Sequence, residues 1–531
     1  MSRPLRLSPV DVELFAHRFE NIASRMGETL RRTAVSTNVK ERLDFSCAVL
    51  DGGGELVVNA PHIPVHLGAL GVCVRAVEAH LTLRPGDVAV TNHPGFGGSH
   101  LPDVTVVTPV FDPGGETSDR PVAFVANRAH HAEIGGSRPG SMPPTATRLS
   151  EEGVLISPRR LVAAGASRFA DVRELLARPP FPSRAVAENL ADLEAAVAAN
   201  RIGAAELERS LVEHGRARVE QAMRALTERA EARVRQAFAR LGSRRLTASE
   251  RLDDGTPIVV SLTIDGERAT VDFTGSGPQH PGNLNAPLGV ARSAVLYALR
   301  LLVDEQLPLN EGFLRPVDLV VPPSLLNPDF SGSAESMPAV VGGNVETSQR
   351  VVDTLLKALG LAACSQGTMN NVLFGNDRFG YYETIGGGTG AGDGFAGADA
   401  VHSHMTNTAI TDPEVLESRY PVRLEEFAIR RGSGGDGLYA GGCGARRRLR
   451  FLEPVSLSIV SQHRHERPYG LAGGGPGAAG SQWLERADGS VEELAGIDQA
   501  ELAPGDRLCV ETPGGGGWGA GATVNPGEAE S

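Results

Sequence analysis

At 531 residues, with 41% hydrophobic and 22% charged side chains, the chain has ample material for a large core and is not a disordered tail. A net charge of −13 without a basic stripe argues against a nucleic-acid partner. The 5 cysteines are odd in number, far apart and free of any CxxC, so neither a zinc ribbon nor a disulfide framework is indicated. With no apolar leader and no run of about 18 apolar residues, a reduced, cytoplasmic protein is expected.

In chain order, the first element is a helix over about 8–36. Ser8 is placed as its N-cap and Pro9 at its first position, with Val12, Phe15, Phe19, Ile22 and Met26 at helical spacing. FSCAVLDGGGELVVNA reads as a hairpin turning at residues 51–54. DVAVTNHP, DVTVVTPVF and PVAFVANRAHH read as strands whose ends carry the polar residues. From 183 to 241 the apolar spacing becomes helical, predicting a helical hairpin or arm whose first helix, from Val186 to Ala199, ends near Gly203. IVVSLTIDGERATVDFTG alternates around residues 265–266, a second hairpin. Helices are predicted at about 291–303 and 347–361. Beyond Gly386 lie glycine-rich loops between short strands, with a flexible tail after Trp518. The fold class is α+β and multi-domain: mixed sheets, a long helical hairpin and a glycine-rich, β-containing C-terminal part. The expected divisions are an N-terminal α/β region at 1–182, the hairpin at 183–245, an α+β domain at 246–385, the glycine-rich region at 386–520 and a tail at 521–531.

Chemical capacity concentrates between Asn92 and Gly136. NHPGFGGSHLPD sets His100 and Asp103 three apart after a glycine turn, and NRAHHAEIGG brings the pair His130 and His131. Asp44, at another strand start, offers a further carboxylate. Such groups gathered from successive strand ends can hold a divalent cation and leave a position for water; zinc, manganese and iron all suit them. In HIPVH, His62 and His66 stand four apart, but Pro61 and Pro64 disfavour the helix that would make them a metal pair. HSHMTNT places His402 and His404, and SQHRHERPYG places His463 and His465, on one face of an extended stretch. GSGGDG, GPGAAG and GGGGWG fit the letters of GxGxxG without the flanking strand and helix, and no GxxxxGK[ST] occurs, so close backbone approach explains these glycines better than a nucleotide. There is no GxSxG elbow, and Cys47 and Cys364 sit in apolar contexts, so covalent catalysis has little support.

ERLDFSCAVLD, HIPVHLGALG, NHPGFGGSHLPDVTVVTPVF, NRAHHAEIGG, DFTGSGPQHPGNLNAP, GNVETSQRV, HSHMTNT and TPGGGGWG together resemble the hydantoinase B / 5-oxoprolinase family, which includes the acetone carboxylase α subunit. The resemblance implies a B-type component of a two-component, ATP-dependent amidohydrolase that opens a cyclic amide or imide. In it, a partner A-type subunit binds ATP and phosphorylates the substrate, and this chain supplies metal-activated water. It implies metal ligands Asp44, His100, Asp103 and His130, the last preferred over its neighbour. His131 and Glu133 would handle protons, Glu133 standing where many relatives have the shorter Asp. Asn127, Arg128, Asn344, His402 and His404 would meet the substrate. The alternatives are a carboxylase subunit and a non-catalytic scaffold for an ATPase partner.

Overall fold

The computed structural model describes residues 7–59, 63–114 and 120–521, so His62 and the end of the tail lie outside the described residues. Helix α1, Pro9–Thr33, starts where Ser8 and Asp11 cap each other: Ser8 Oγ accepts from Asp11 N at 3.2 Å, and Asp11 Oδ2 accepts from Ser8 N at 3.0 Å. Its stripe of Phe15, Phe19, Ile22 and Met26 is buried against a seven-stranded antiparallel sheet. The strands are β1 (Phe45–Asp51), β2 (Leu56–Asn59), β3 (Val88–Thr91), β4 (Asp103–Val110), β5 (Ala123–His130), β6 (Arg159–Ala163) and β7 (Ala166–Ser167), in the order β2-β1-β5-β4-β3-β6-β7.

Both faces of this sheet are covered. Cys47, Val49, Val106 and Val125 pack towards α1 and the long helix that follows the sheet. Ala48, Leu50, Val107, Phe124 and Ala126 pack towards α2, Leu67–Leu81. Side chains alternate along a strand, so Asp44, Ser46, Asp103, Arg128 and His130 belong to the α2 face. Asn127 and His131 belong to the other.

Helix α3, Val186–His214, and α4, Arg216–Leu241, meet at Gly215. The expected end of the first helix near Gly203 is not observed. That glycine sits mid-helix, and a Cβ there would lie 2.3 Å from Met26 Sδ, so it is a point of close approach between α3 and α1. The helical pair is not a free arm: it packs on α1 and the sheet. A second, four-stranded sheet contains the hairpin of Pro257–Asp265 and Arg268–Asp272, with Asp265 opposite Arg268 as the turn signal indicated. It shares a core with α5, Leu288–Arg300, and α6, Ser348–Leu359, the latter entered through a π turn at Gly343–Thr347.

The C-terminal part holds a four-stranded sheet, which includes Asn371–Gly375 and Gly380–Thr384, and a five-stranded one. The glycine runs lie beside them as extended chains bonded backbone to backbone. Gly442 N donates to Thr389 O at 2.9 Å, Gly515 N to Gly442 O at 2.9 Å and Gly517 N to Gly475 O at 2.9 Å. A Cβ on Gly515 would stand 1.9 Å from Thr389 O, which leaves no room for any side chain. The multi-domain α+β architecture is therefore as expected, and the glycines are packing surfaces. Among the described residues no helix is long and apolar enough to cross a membrane.

Gly515→Ala should cost roughly 3 kcal/mol or more in urea unfolding, since backbone cannot yield as a side chain does. Gly114→Ala, on an exposed turn with a nearest neighbour 3.8 Å away, should change stability by less than about 0.5 kcal/mol.

Candidate metal centre

Three segments converge at the end of the sheet's α2 face. Asp103 opens β4 and pairs in register with His130, the last residue of β5, while Asp44 immediately precedes β1. His100 hangs from the turn before β4, which Arg128 fixes from within: its Nε donates to Thr105 Oγ1 at 2.8 Å and its Nη2 to Gly97 O at 2.7 Å. The result is a buried cluster in which Asp103 Oδ1 lies 3.1 Å from His100 Nε2 and 3.3 Å from His130 Nδ1, with Asp44 Oδ2 3.9 Å from His130 Nδ1.

Asp103 Oδ2 is turned away and held separately, accepting from Ser99 Oγ at 2.5 Å and His66 Nε2 at 3.2 Å. The His66 Nδ1 lies 3.0 Å from Ser46 Oγ. Burial alone would raise the Asp103 carboxyl, but His100 and His66 outweigh it and hold it well below the usual carboxylate range. Burial raises Asp44, against the pull of His130 and Arg42, and lowers His66 and His130.

These groups fit a cation. His100, Asp103 and His130 offer one atom each within 4.8 Å of one another. Two donors each roughly 2.0–2.2 Å from a common ion stand about 3 Å apart, the spacing seen around Oδ1. His100 Nδ1 is buried with no hydrogen-bond partner, and Nε2, though 3.1 Å from Asp103 Oδ1, lacks the alignment of a hydrogen bond, as a nitrogen turned towards an ion would. They line a cavity of about 20 Å³, room for one ion or water, together with Asp44, His66, Asn344, Met369, Tyr382, Met405 and Thr406.

The other expected site residues lie apart from it. His131 follows β5 and faces the opposite side, towards α3, where its Nδ1 accepts from Asn189 Nδ2 at 3.1 Å. Asn127 faces the same way, donating to Ala196 O and Asn200 Oδ1, each at 2.8 Å. The Glu133 carboxylate is spent on a turn, accepting from Gly135 N at 2.7 Å and Gly140 N at 2.9 Å and pairing with Arg184 at 3.2 Å. Arg128 shares the metal face but grips the glycine turn. His402, kept neutral by burial and by the nearby Arg42 with its pKa pulled to about 4, has Thr384 Oγ1 3.5 Å away. His404 pairs with Asp353 at 3.0 Å, outside the cavity, and His465 is exposed.

Sequence reading left His66 without a role and missed Tyr382. Pro64–His66 forms a 3₁₀ turn that delivers His66 to Asp103, while His62 lies outside the described residues. Tyr382 stacks on the His130 ring at 4.7 Å, with the Arg42 guanidinium 4.6 Å from the centre of the tyrosine ring. No motif announces it. The Tyr382 hydroxyl donates to Asn371 Oδ1 at 2.9 Å, and Asn371 Nδ2 donates to Glu346 Oε1 at 2.6 Å.

Burial pushes the Glu346 carboxyl up from its ordinary 4.5 to about 8. Between those values the folded protein keeps a proton that the unfolded chain has lost, so stability falls as pH rises through this window. Glu346→Gln should therefore lose less melting temperature than the parent between pH 5 and 8; an equal slope would contradict the assignment.

A family model described as hydantoinase B/oxoprolinase matches residues 8–521. The chain is 45% identical to 5-oxoprolinase 1 of Arabidopsis thaliana over 96% of its own length but 42% of that protein's. It is 30% identical to the B component of a putative D-/L-hydantoinase of Pseudomonas sp. (strain NS671), over 97% of this chain and 90% of the relative. Among solved structures, the ATP-dependent caprolactamase from Pseudomonas jessenii superposes with a TM-score of 0.86 at 24% identity, covering 97% of this chain and 91% of that one, a likeness of fold. The chain thus spans less than half the length of its oxoprolinase relative, and with the whole of its described fold it belongs to the hydantoinase B/oxoprolinase family.

Proposed function

We propose that this chain is the hydrolytic, metal-bearing half of an ATP-dependent enzyme that opens a cyclic amide or imide: 5-oxoproline, a hydantoin or a lactam. The observation that carries the reading is the buried cluster of His100, Asp103 and His130, with Asp44 at its edge, around a cavity of ionic size. Zinc, manganese and iron remain equivalent for this donor set.

A cyclic amide resists attack because the nitrogen lone pair feeds the carbonyl. Phosphorylation of its oxygen removes that resistance, and the family's ATP dependence supplies the step. No phosphate-binding GxxxxGK[ST] is present in the chain, so the ATP-using half is assigned to polypeptide outside these residues. The oxoprolinase relative, which is more than twice as long as the matched region, does not favour a separate A-type subunit over a fused one. A divalent cation at the cluster supplies water whose pKa falls from about 15.7 towards about 7.

The chain's own residues do the rest. Ser99 and His66 hold Asp103 Oδ2, which keeps Oδ1 aimed inward. Tyr382 lies flat on His130 and fixes its ring, while the tyrosine hydroxyl is committed to Asn371. Asn344 presents an unpartnered Oδ1 to the cavity, an acceptor for a hydrogen bond from a water or N–H that reaches it. Met369, Met405 and Val345 give the cavity part of its apolar lining.

Purified protein should carry about one divalent ion per chain, and His100→Ala should lose it with an unchanged circular dichroism spectrum. His66→Ala, which removes support from a ligand, should weaken metal affinity about 10- to 100-fold. Undiminished metal content in His100→Ala would overturn the ligand set. Ring opening of hydantoin, 5-oxoproline and small lactams should require an added ATP-using half, and ATP turnover by this chain alone would contradict the division of labour.

A further inference from the structure

Residues of GNVETSQRV, HSHMTNT and SQHRHERPYG that do not line the metal cavity meet in a second buried cluster. At its heart is Arg350 on α6, fully enclosed, with Nε, Nη1 and Nη2 all without a hydrogen-bond partner. One turn further along, Asp353 is equally enclosed. Its Oδ1 accepts from His404 Nε2 at 3.0 Å and from Ser365 N at 3.1 Å, but its Oδ2 has no partner. The Nδ1 of His404 and the Nε2 of Gln366 are also buried without one. Gly367 packs directly on this edge: a Cβ there would fall 3.1 Å from Asp353 Oδ2 and 2.4 Å from His463 Nε2, so only glycine fits beside the carboxylate.

A buried guanidinium and a buried carboxylate at i and i+3 that do not satisfy each other form a costly pair of opposite sign. Two bland readings fail on chemistry. A metal site is disfavoured by the permanent charge of Arg350, and among the described residues the groups offered to an ion at mutual reach are those of the first centre. A Cys364–His463 nucleophile is disfavoured because burial pushes the thiol well above its ordinary range. Burial and the Arg350 charge also hold the imidazole well below its own. What both orphaned ends accept is a molecule with a carboxylate at one end and an N–H cation at the other.

We propose that Arg350 and Asp353 are the two poles of a buried binding site for a small α-amino acid. The carboxylate lies in the Arg350 fork and accepts from Gln366 Nε2, and the ammonium donates to Asp353 Oδ2 and His404 Nδ1. Three segments serve both this site and the metal cavity: Asn344 and Arg350 flank the start of α6, Met405 follows His404, and Met369 lies two residues after Gly367. The site is thus one wall away from the ring-opening chemistry. The choice of L-glutamate, the ring-opened form of 5-oxoproline, as one probe rests on the proposed function; the two-pole chemistry does not.

The test is calorimetric titration of the metal-loaded chain with L-glutamate and L-alanine, each compared with its N-acetyl derivative, and with 4-aminobutyrate, which lacks the α-carboxylate. Saturable binding of at least one amino acid is expected, about tenfold weaker or worse once the amine is acetylated or the α-carboxylate removed. Arg350→Gln and Asp353→Asn should each abolish it and leave metal content unchanged. No saturable binding by either amino acid, or equal binding of the blocked compounds, overturns the proposal, as would binding lost in His100→Ala but kept in Arg350→Gln. The comparison of blocked and free ligands needs no variant, so it decides even where Arg350→Gln does not fold. Selective amino-acid binding by a chain that takes up no metal would uphold this site and sink the metal reading.

Discussion

The Asp103 carboxylate is the constraint around which the active region is built. An anion taken fully out of water is tolerated where several donors replace its hydration, and Asp103 has Ser99 and His66 on one oxygen and the imidazoles of His100 and His130 at the other. These four come from three kinds of local structure: a glycine turn for Ser99 and His100, a 3₁₀ turn opened by a proline for His66 and a strand end for His130. That explains why the sheet must be rigid and covered on both faces. The register that places Asp103 opposite His130 is fixed by β4–β5 pairing along eight residues, and a one-residue slip would send His130 to the α3 side and bring His131 in its place.

The roof of the site comes from the other end of the chain. Tyr382, Met369, Met405 and Thr406 all lie beyond α6, and the C-terminal part must be held firmly against the N-terminal sheet for them to be useful. Glu133 contributes here. Its carboxylate ties the turn through Gly135 and Gly140, and Gly380, the first residue of the strand carrying Tyr382, rests so closely on this turn that a Cβ would meet Gly140 N at 2.8 Å and Glu133 Oε2 at 3.0 Å. A residue that looked chemical is thus a strut between two sheets. The interleaved glycine chains do similar work further out, where backbone against backbone leaves no side chains to rearrange.

What was legible in the sequence was local. The Ser8–Pro9 helix start, the turns at residues 51–54 and 265–266 and the strands ending in polar residues depend on a few neighbouring positions. The grouping of Asp44, His100, Asp103 and His130 follows from strand ends meeting. The choice between His130 and His131 was not legible from hydropathy, because every residue of β5 is buried and no polar face marks the outside. Gly203 read as a helix end because its reason lies in Met26, far away in the chain. The meeting of His404 with Asp353, and of His463 with Cys364, depends on contacts between segments 51 and 99 residues apart, which no local pattern reports.

One helix binds these parts together. The π turn at Gly343–Thr347 puts Asn344 into the metal cavity and, two residues on, Glu346 against the strand beginning at Asn371. A neutral Glu346 satisfies Asn371, Asn371 receives the Tyr382 hydroxyl, and Tyr382 lies on His130, so the start of α6 and the roof over the His100–Asp103–His130 cluster are one connected unit. Arg350 and Asp353 sit on the same short helix, within its first two turns. In a core packed this closely the helix that carries Arg350 and Asp353 is held by the same contacts that hold Tyr382 on His130.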